Sequence, residues 1–267
     1  MHFTFCPLYS GSNGNALFIG AGDTRILIDA GMAGRTVENA LKTIGVLPEQ
    51  LSAICVTHEH SDHTKGVGIL SRKYHLPVYA NARTFEAMHK IVGEIPPRSV
   101  RLFETGDDFY IGELALHAFA IPHDAADPVG YRVYYGGRSA ATATDMGYMK
   151  KDVLTLLSGV DVLLLESNHD PLRVNTNMHY TQHLKERILS RHGHLSNEAC
   201  GEALVQLYQT GVRQVVLGHL SGENNDPGLA MNTVCGVLRR AGIEPGRDIF
   251  LTVAERDKLV GQKYEIL

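Results

Sequence analysis

Four potential metal ligands lie close together in this sequence: His58, His60, Asp62 and His63. They directly follow residues 53–57, an apolar, β-branched run that is typical of a buried strand. Because side chains alternate in an extended chain, His58 and His60 would point to the same side. Asp62 and His63 can face a neighbouring point if the chain turns into a helix there. Imidazole and carboxylate ligands together suit zinc, manganese or iron. The stretch therefore predicts a metal site, and the alternative is a polar, His-rich turn on the surface.

Two further potential ligands also follow strand-like segments. His123 comes shortly after residues 114–121, and Asp145 comes after a predicted hairpin over residues 131–142. The carboxylate of Asp145 has two oxygens, so it could bridge two ions. A lone His or Asp at a strand end is usually a cap or a turn residue. The repeated placement at strand ends is what favours ligands here.

Other polar residues at strand ends are candidates for supporting roles. Asp29 could orient a metal-binding imidazole from behind, or it could cap a helix predicted over residues 34–44. The Gly/Ser/Asn loop at residues 10–15 could present backbone N–H groups to an anion, or it could be a plain turn. Further loop residues at strand ends are expected to line the site. The candidate substrate-binding residues are Ser10, Asn13, Asn168, His169, Ser196 and Ser221.

The composition is that of a soluble globular protein. The 267 residues are 44% hydrophobic and 20% charged, and no linker divides them, so we expect a single domain over residues 1–267. The net charge of −4 argues mildly against a protein that binds nucleic acid with its whole surface. Two divalent ions would, however, add positive charge at the site itself and could attract a phosphate there.

The sequence also indicates a cellular compartment. The 4 cysteines are dispersed and form no C-x-x-C pair, which is typical of reduced thiols in a cytosolic protein. No apolar stretch is long enough to cross a membrane, and no basic n-region of a signal peptide is present. We therefore expect a cytoplasmic protein without a membrane partner, and no feature indicates an oligomeric state.

Seven candidate ligands at four predicted strand ends resemble the ligand set of the metallo-β-lactamase-fold hydrolases. The resemblance covers the whole chain. It implies a four-layer α/β fold, the αββα sandwich, with a two-metal site at the edge of the sheets. The implied roles are His58, His60 and His123 for the first ion, Asp62, His63 and His219 for the second, Asp145 as a bridge between them, and Asp29 as a support from behind.

Finer motifs resemble the WalJ/YycJ exonuclease branch of these hydrolases. They lie at residues 10–15, 123–131, 166–170, 193–198 and 219–225. The resemblance implies a 5′-to-3′ DNA exonuclease with two divalent ions, zinc or manganese, with iron as a further option. A metal-bridged hydroxide would attack phosphorus, and Asp62 would accept its hydrogen bond.

A second catalytic element is suggested by residues 194–196. His194-Leu195-Ser196 resembles the H-S-T element of tRNA 3′-processing endonucleases, in which a His paired with an acidic residue protonates the leaving group. The matching pair here would be His194 and Glu166.

Several activities occur on this fold, and the fold alone does not choose among them. A small cyclic-phosphodiester hydrolase is the nearest alternative, because it needs the same two metals and similar acid chemistry. A glyoxalase-type thioester hydrolase shares the His-rich loop but does not predict the element at residues 194–196. A non-catalytic metal-dependent regulator is a further alternative, which an intact ligand set disfavours.

Overall fold

The computed structural model describes residues 3–254, 256 and 258–266, and the strands within them form two seven-stranded sheets. The first sheet contains β1 (Phe3–Tyr9), β2 (Ala16–Ala21), β3 (Thr24–Ile28), β4 (Ala53–Cys55), β5 (Val78–Asn81), β6 (Val100–Phe103) and β14 (Tyr264–Ile266). Its strand order is β14-β1-β2-β3-β4-β5-β6. The second contains β7 (Asp108–Ile111), β8 (Leu114–Ala120), β9 (Val129–Tyr135), β10 (Arg138–Ala143), β11 (Val162–Glu166), β12 (Gln214–Gly218) and β13 (Phe250–Val253). Its order is β13-β12-β11-β10-β9-β8-β7.

Helices connect many of these strands. They are α1 (Gly34–Thr43), α2 (Ser61–Thr64), α3 (Val67–Tyr74), α4 (Ala82–Val92), α5 (Lys151–Leu157), α6 (Pro171–Thr176), α7 (Gln182–Leu189), α8 (Asn197–Gln209) and α9 (Pro227–Arg240), with short 3₁₀ turns at Pro48–Gln50 and Pro97–Ser99. None of the helices in the described ranges is both long and apolar enough to span a bilayer.

Three hydrophobic cores separate the layers. The central core lies between the sheets and joins Leu17 of β2 to Leu116 of β8. A second core packs the other face of the first sheet against helices and includes Leu41 of α1. A third packs the second sheet against helices and includes Leu204 of α8. The order of layers is helix, sheet, sheet, helix, so the predicted αββα sandwich is confirmed.

Strand β11 illustrates how the sequence produces these layers. Val162 and Leu164 point into the central core, whereas Leu163 and Leu165 point into the outer core with the helices. Successive side chains of a strand face opposite sides of the sheet. Both faces of β11 are buried, so its sequence is continuously apolar and does not alternate with polar residues.

The site is built where parallel strands end. Strands β3 and β4 run parallel, as do β10, β11 and β12, so their carboxyl ends meet at common edges. Three residues just after these ends have left-handed backbone conformations: Asp29 with φ 63°, Asp145 with φ 61° and His219 with φ 53°. Asp and His are among the residues that tolerate this region. Sharp turns after the strands thus aim these side chains along the sheet edge.

Two elements differ from the sequence prediction. Strand β14, which pairs antiparallel with β1, is not predicted from the sequence, because three residues are too few to show an alternating pattern. Helix α6 was also not predicted. It begins at Pro171 after Asp170, whose side chain accepts a hydrogen bond from the N–H of Arg173. That pattern of an Asp cap followed by Pro is a helix start signal in the sequence.

Candidate metal centre

The seven side chains predicted as ligands converge at the sheet edge. Together with Glu166 and His194, they form overlapping groups in which one donor atom from each residue lies within 4.8 Å of the others. The groups are His58, His60 and His123; His58, His63 and Asp145; Asp62, His63 and His219; and Asp145, Glu166, His194 and His219. The structure therefore brings together residues that are up to 161 positions apart in the sequence, from His58 to His219.

Three imidazoles face one another in the first group. Nδ1 of His60 lies 3.2 Å from Nε2 of His58 and 3.3 Å from Nε2 of His123. Burial and the charge of nearby His63 hold the pKa of His58 well below its ordinary value. Burial also lowers the pKa of His123. Both imidazoles are thus kept neutral, which is the form that binds a metal ion.

Asp145 lies between this group and the next. Its Oδ2 is 3.3 Å from Nε2 of His63, and its Oδ1 is 3.4 Å from Nε2 of His219. Oδ1 is also 3.8 Å from Nε2 of His123. In the group of Asp62, His63 and His219, Asp62 Oδ2 lies 3.6 Å from the Nε2 atoms of both imidazoles. Asp145 therefore lies beside donors of both sets, with Oδ1 near His123 and His219 and Oδ2 near His63.

The unpaired polar atoms of this cluster fit a cation. Asp145 Oδ2 and His219 Nε2 are buried without a hydrogen-bond partner among the described residues. Buried polar atoms are rarely left in this way, and a site for a bound ion is one of the usual reasons. Oxygen and imidazole donors that converge on common points suit divalent metals. The residues present therefore fit divalent metal binding.

Asp29 supports the cluster from behind. Its Oδ2 lies 2.7 Å from Nδ1 of His63 and accepts a hydrogen bond of 2.8 Å from the hydroxyl of Thr57. Its Oδ1 accepts the backbone N–H of Thr57 at 2.8 Å. The alternative role as a cap for α1 is wrong, because Ala33 occupies the N-cap position of that helix. Asp29 instead fixes the ring of His63, so that Nε2 points into the cluster.

Glu166 is fully buried and holds two imidazoles at once. Its Oε1 accepts hydrogen bonds from Nδ1 of His194 at 2.8 Å and from Nδ1 of His219 at 2.9 Å. Its Oε2 accepts the backbone N–H groups of Met146 and Leu195. Burial raises the pKa of Glu166, but the charges and hydrogen bonds of the two imidazoles outweigh it and lower the pKa to about 2. The pairing of Glu166 with His194 was predicted from the sequence, whereas the contact of Glu166 with His219 was not.

A cavity of about 310 Å³ opens beside His194. Of the predicted substrate contacts, Asn13, Asn168 and Ser221 line it. The other three do not line it and have contacts elsewhere. Ser10 Oγ accepts a hydrogen bond from the backbone N–H of His219, and Ser196 Oγ caps the N-terminus of α8. His169 is buried, and its backbone forms an isolated parallel β-bridge with that of Ser196.

Residues that the sequence reasoning missed also contact the cluster. Asn15 donates a hydrogen bond from Nδ2 to the carbonyl of Asp62 at 3.3 Å, so the loop at residues 10–15 packs directly on the His-rich loop. Asp124 places Oδ1 3.4 Å from Nε2 of His123 and accepts a hydrogen bond from Nε of Arg187. Both lie inside motifs noted in the sequence, but spacing alone does not show what they touch.

Comparisons with known proteins agree with this architecture. The chain is 38% identical over 246 residues to exodeoxyribonuclease YycJ of Bacillus anthracis, covering 92% of this chain and 93% of that protein. It is 38% identical over 248 residues to exodeoxyribonuclease WalJ of Streptococcus pneumoniae, covering 92% of each. The crystal structure of the metallo-beta-lactamase fold protein YhfI from Bacillus subtilis superposes with a TM-score of 0.75 over 100% of both chains at 16% identity. The profile of the Beta-lactamase superfamily domain matches residues 24–220. The chain therefore belongs to the beta-lactamase superfamily domain family and is a metal-dependent hydrolase.

Proposed function

We propose that this chain is a nuclease that uses two divalent ions, zinc or manganese, to hydrolyse DNA from the 5′ end towards the 3′ end. The names of the relatives support DNA as the substrate, because two proteins named exodeoxyribonuclease match this chain along 92% of its length. The observation that carries the proposal is the position of the His194–Glu166 pair. Both residues belong to one donor group, and His194 lines the cavity beside it.

The proposed ligands follow the geometric groups. The first ion would be held by His58, His60 and His123 and the second by Asp62, His63 and His219, with Asp145, which lies near both sets, as the bridge between them. When bound, divalent ions polarise phosphoryl oxygens and lower the pKa of the water nucleophile.

Asp62 is proposed to orient the attacking water. Its side chain is 23% exposed, whereas that of Asp145 is 3% exposed. It can therefore accept a hydrogen bond from a water molecule that enters the site. Asp145 is too enclosed for this role and is better suited to bridging.

His194 is proposed to protonate the departing oxygen. Its Nδ1 donates to Glu166, which leaves Nε2 to act on substrate. Burial lowers the pKa of His194, but the charge of Glu166 and the hydrogen bond to it raise the pKa above its ordinary value. The raised pKa favours the protonated imidazole, which is the form that a general acid needs. Catalysis of this kind typically contributes about 10²–10⁴ in rate.

The test is incubation of the metal-loaded protein with DNA duplexes labelled at either end, single-stranded DNA, RNA and cyclic nucleotides. We expect mononucleotides to be released progressively from the 5′ end of DNA, with manganese or zinc present. Cleavage of cyclic nucleotides alone would instead assign a small-molecule phosphodiesterase. Hydrolysis of none of these substrates would contradict the proposal.

A further inference from the structure

Two glycines in separate loops leave room for one side chain, that of Arg256. A Cβ atom added to Gly11 would lie 2.6 Å from Cγ of Arg256, and one added to Gly222 would overlap its Nη1. Neither glycine is among the described residues with positive φ, so the backbone conformation does not demand glycine at either position. The space that the missing Cβ atoms leave is occupied by Arg256. We call this gap between Gly11 and Gly222 the arginine slot.

The arginine slot opens on the cavity beside His194. Arg256, Gly222 and Ser221 all line that cavity. The slot therefore presents a guanidinium group to the same cavity that the proposed general acid lines. Both glycines lie in motifs noted in the sequence, at residues 10–15 and 219–225. Their backbone conformations do not explain why glycine stands at these two positions.

Helix α7 and Tyr180, two residues before it, form an apolar wall of the same cavity. Tyr180, Leu184 and Ile188 line it, and α7 buries none of its residues in the fold. An aromatic ring with aliphatic neighbours is a surface on which a nucleobase can stack. Arg187 also lines the cavity, but it is already ion-paired with Asp124.

A guanidinium group suits a phosphate because its planar N–H donors match the phosphate oxygens in pairs. It carries five donors, so it can keep a protein partner and still bind a phosphate. We propose that the cavity holds the nucleotide adjacent to the scissile bond and that Arg256 binds the phosphate next to the one that is cleaved. The identification of the ligand as a nucleotide rests on the proposed nuclease function.

The first test compares two probes that differ by one phosphate. Calorimetry on the metal-loaded protein gives dissociation constants for deoxyadenosine 5′-monophosphate and deoxyadenosine 3′,5′-bisphosphate. We expect the bisphosphate to bind more tightly, and Arg256→Gln to reduce that advantage about tenfold, the size expected for one charge-assisted hydrogen bond. An advantage that Arg256→Gln leaves intact would overturn the proposal.

The second test examines the arginine slot itself. Gly222→Ala should displace the guanidinium and reduce the bisphosphate advantage as Arg256→Gln does. The double variant should be no worse than Arg256→Gln alone, because both changes remove the same contact. Gly236→Ala in α9 is the control, since its added Cβ would lie 3.7 Å from the nearest atom, Nη1 of Arg240. Additive effects in the double variant would contradict the claim that Gly222 acts by leaving room for Arg256. Circular dichroism and metal content check that each variant is folded.

DNA hydrolysis, measured on the same preparations, separates the two proposals. Arg256-dependent binding in a protein that cleaves no DNA would refute the nuclease function and leave the binding site standing. DNA cleavage in a protein whose bisphosphate binding does not depend on Arg256 would refute the binding site alone.

Discussion

Nδ1 of His194 lies 2.8 Å from Oε1 of Glu166, and this same oxygen accepts a hydrogen bond from Nδ1 of His219. One buried carboxylate thus orients the proposed general acid and a proposed metal ligand together. His194 is 23% exposed in its side chain, whereas His219 is 2% exposed. The exposed ring is the one that can reach a substrate, which is why we assign the two imidazoles different roles.

Replacing His194 should separate turnover from metal binding. We expect His194→Ala to keep its metal content and to lose about 10²–10⁴ in kcat, because a general acid is removed and the proposed ligands remain. Elemental analysis and steady-state kinetics on the same sample measure both quantities. His192→Ala, two positions away and exposed, is the matched control. Since His194 also belongs to one donor group, parallel loss of metal and turnover would make it a ligand instead.

Glu166→Gln should affect both functions. The amide keeps the size of the side chain, but its NH₂ group cannot accept the two backbone N–H groups that now bond to Oε2. We expect metal affinity to fall by about 10–100-fold, as is typical when the group that orients a ligand is lost, together with a loss of kcat. Metal titration and kinetics check this. A variant with normal metal affinity would show that Glu166 does not orient His219.

Asp29→Asn should weaken metal binding without touching the substrate. Asp29 contacts His63 and Thr57 from behind, so its loss frees the ring of His63 to rotate. We expect about 10–100-fold weaker affinity for metal, measured by competition with a chromogenic chelator. Asp23→Asn, at an exposed turn, should leave the affinity unchanged. Equal affinities for the two variants would contradict the role of Asp29.

The pH dependence of stability should differ between metal-free and metal-loaded protein. Burial lowers the pKa of His219, but the charge of Asp145, the nearby carboxylate of Asp62 and the hydrogen bond to Glu166 raise it from 6.5 to about 10. A raised pKa contributes stability that is fully present below the unfolded value and is lost as pH rises through the folded value. The metal-free protein should therefore lose stability between about pH 6.5 and 10.

A bound ion would take the place of the proton on His219, so the metal-loaded protein should not show this loss. We expect the difference in Tm between metal-loaded and chelator-treated protein to widen from pH 6.5 to pH 9, as measured by scanning calorimetry. A difference that stays constant or narrows over this range would indicate that the protonated imidazole is not what the ion replaces.

The sequence predicted those parts of the site that depend on local spacing. His58 and His60 are two residues apart after a strand, so their shared direction follows from backbone geometry alone. His123 and Asp145 were recognised because each follows an apolar run. The αββα order of layers came from the resemblance and agrees with the three cores.

Contacts between distant loops could not be predicted in this way. The bond of Glu166 to His219 spans 53 residues, and that of Asn15 to Asp62 spans 47. Each depends on which strand ends become neighbours in a folded sheet, and composition or periodicity carries no such information. The placement of Arg256 between Gly11 and Gly222 is of the same kind, because the glycines read locally as ordinary turn residues.

The number of divalent ions per chain tests the central claim most directly. Elemental analysis of protein reconstituted with manganese or zinc should give two ions per chain for the wild type, and nucleic-acid hydrolysis should rise with their addition. Asp145→Asn should lower this number, because Asp145 lies near His123 of the first donor set and His219 of the second. Full hydrolytic activity with one ion per chain or none would contradict the two-ion site.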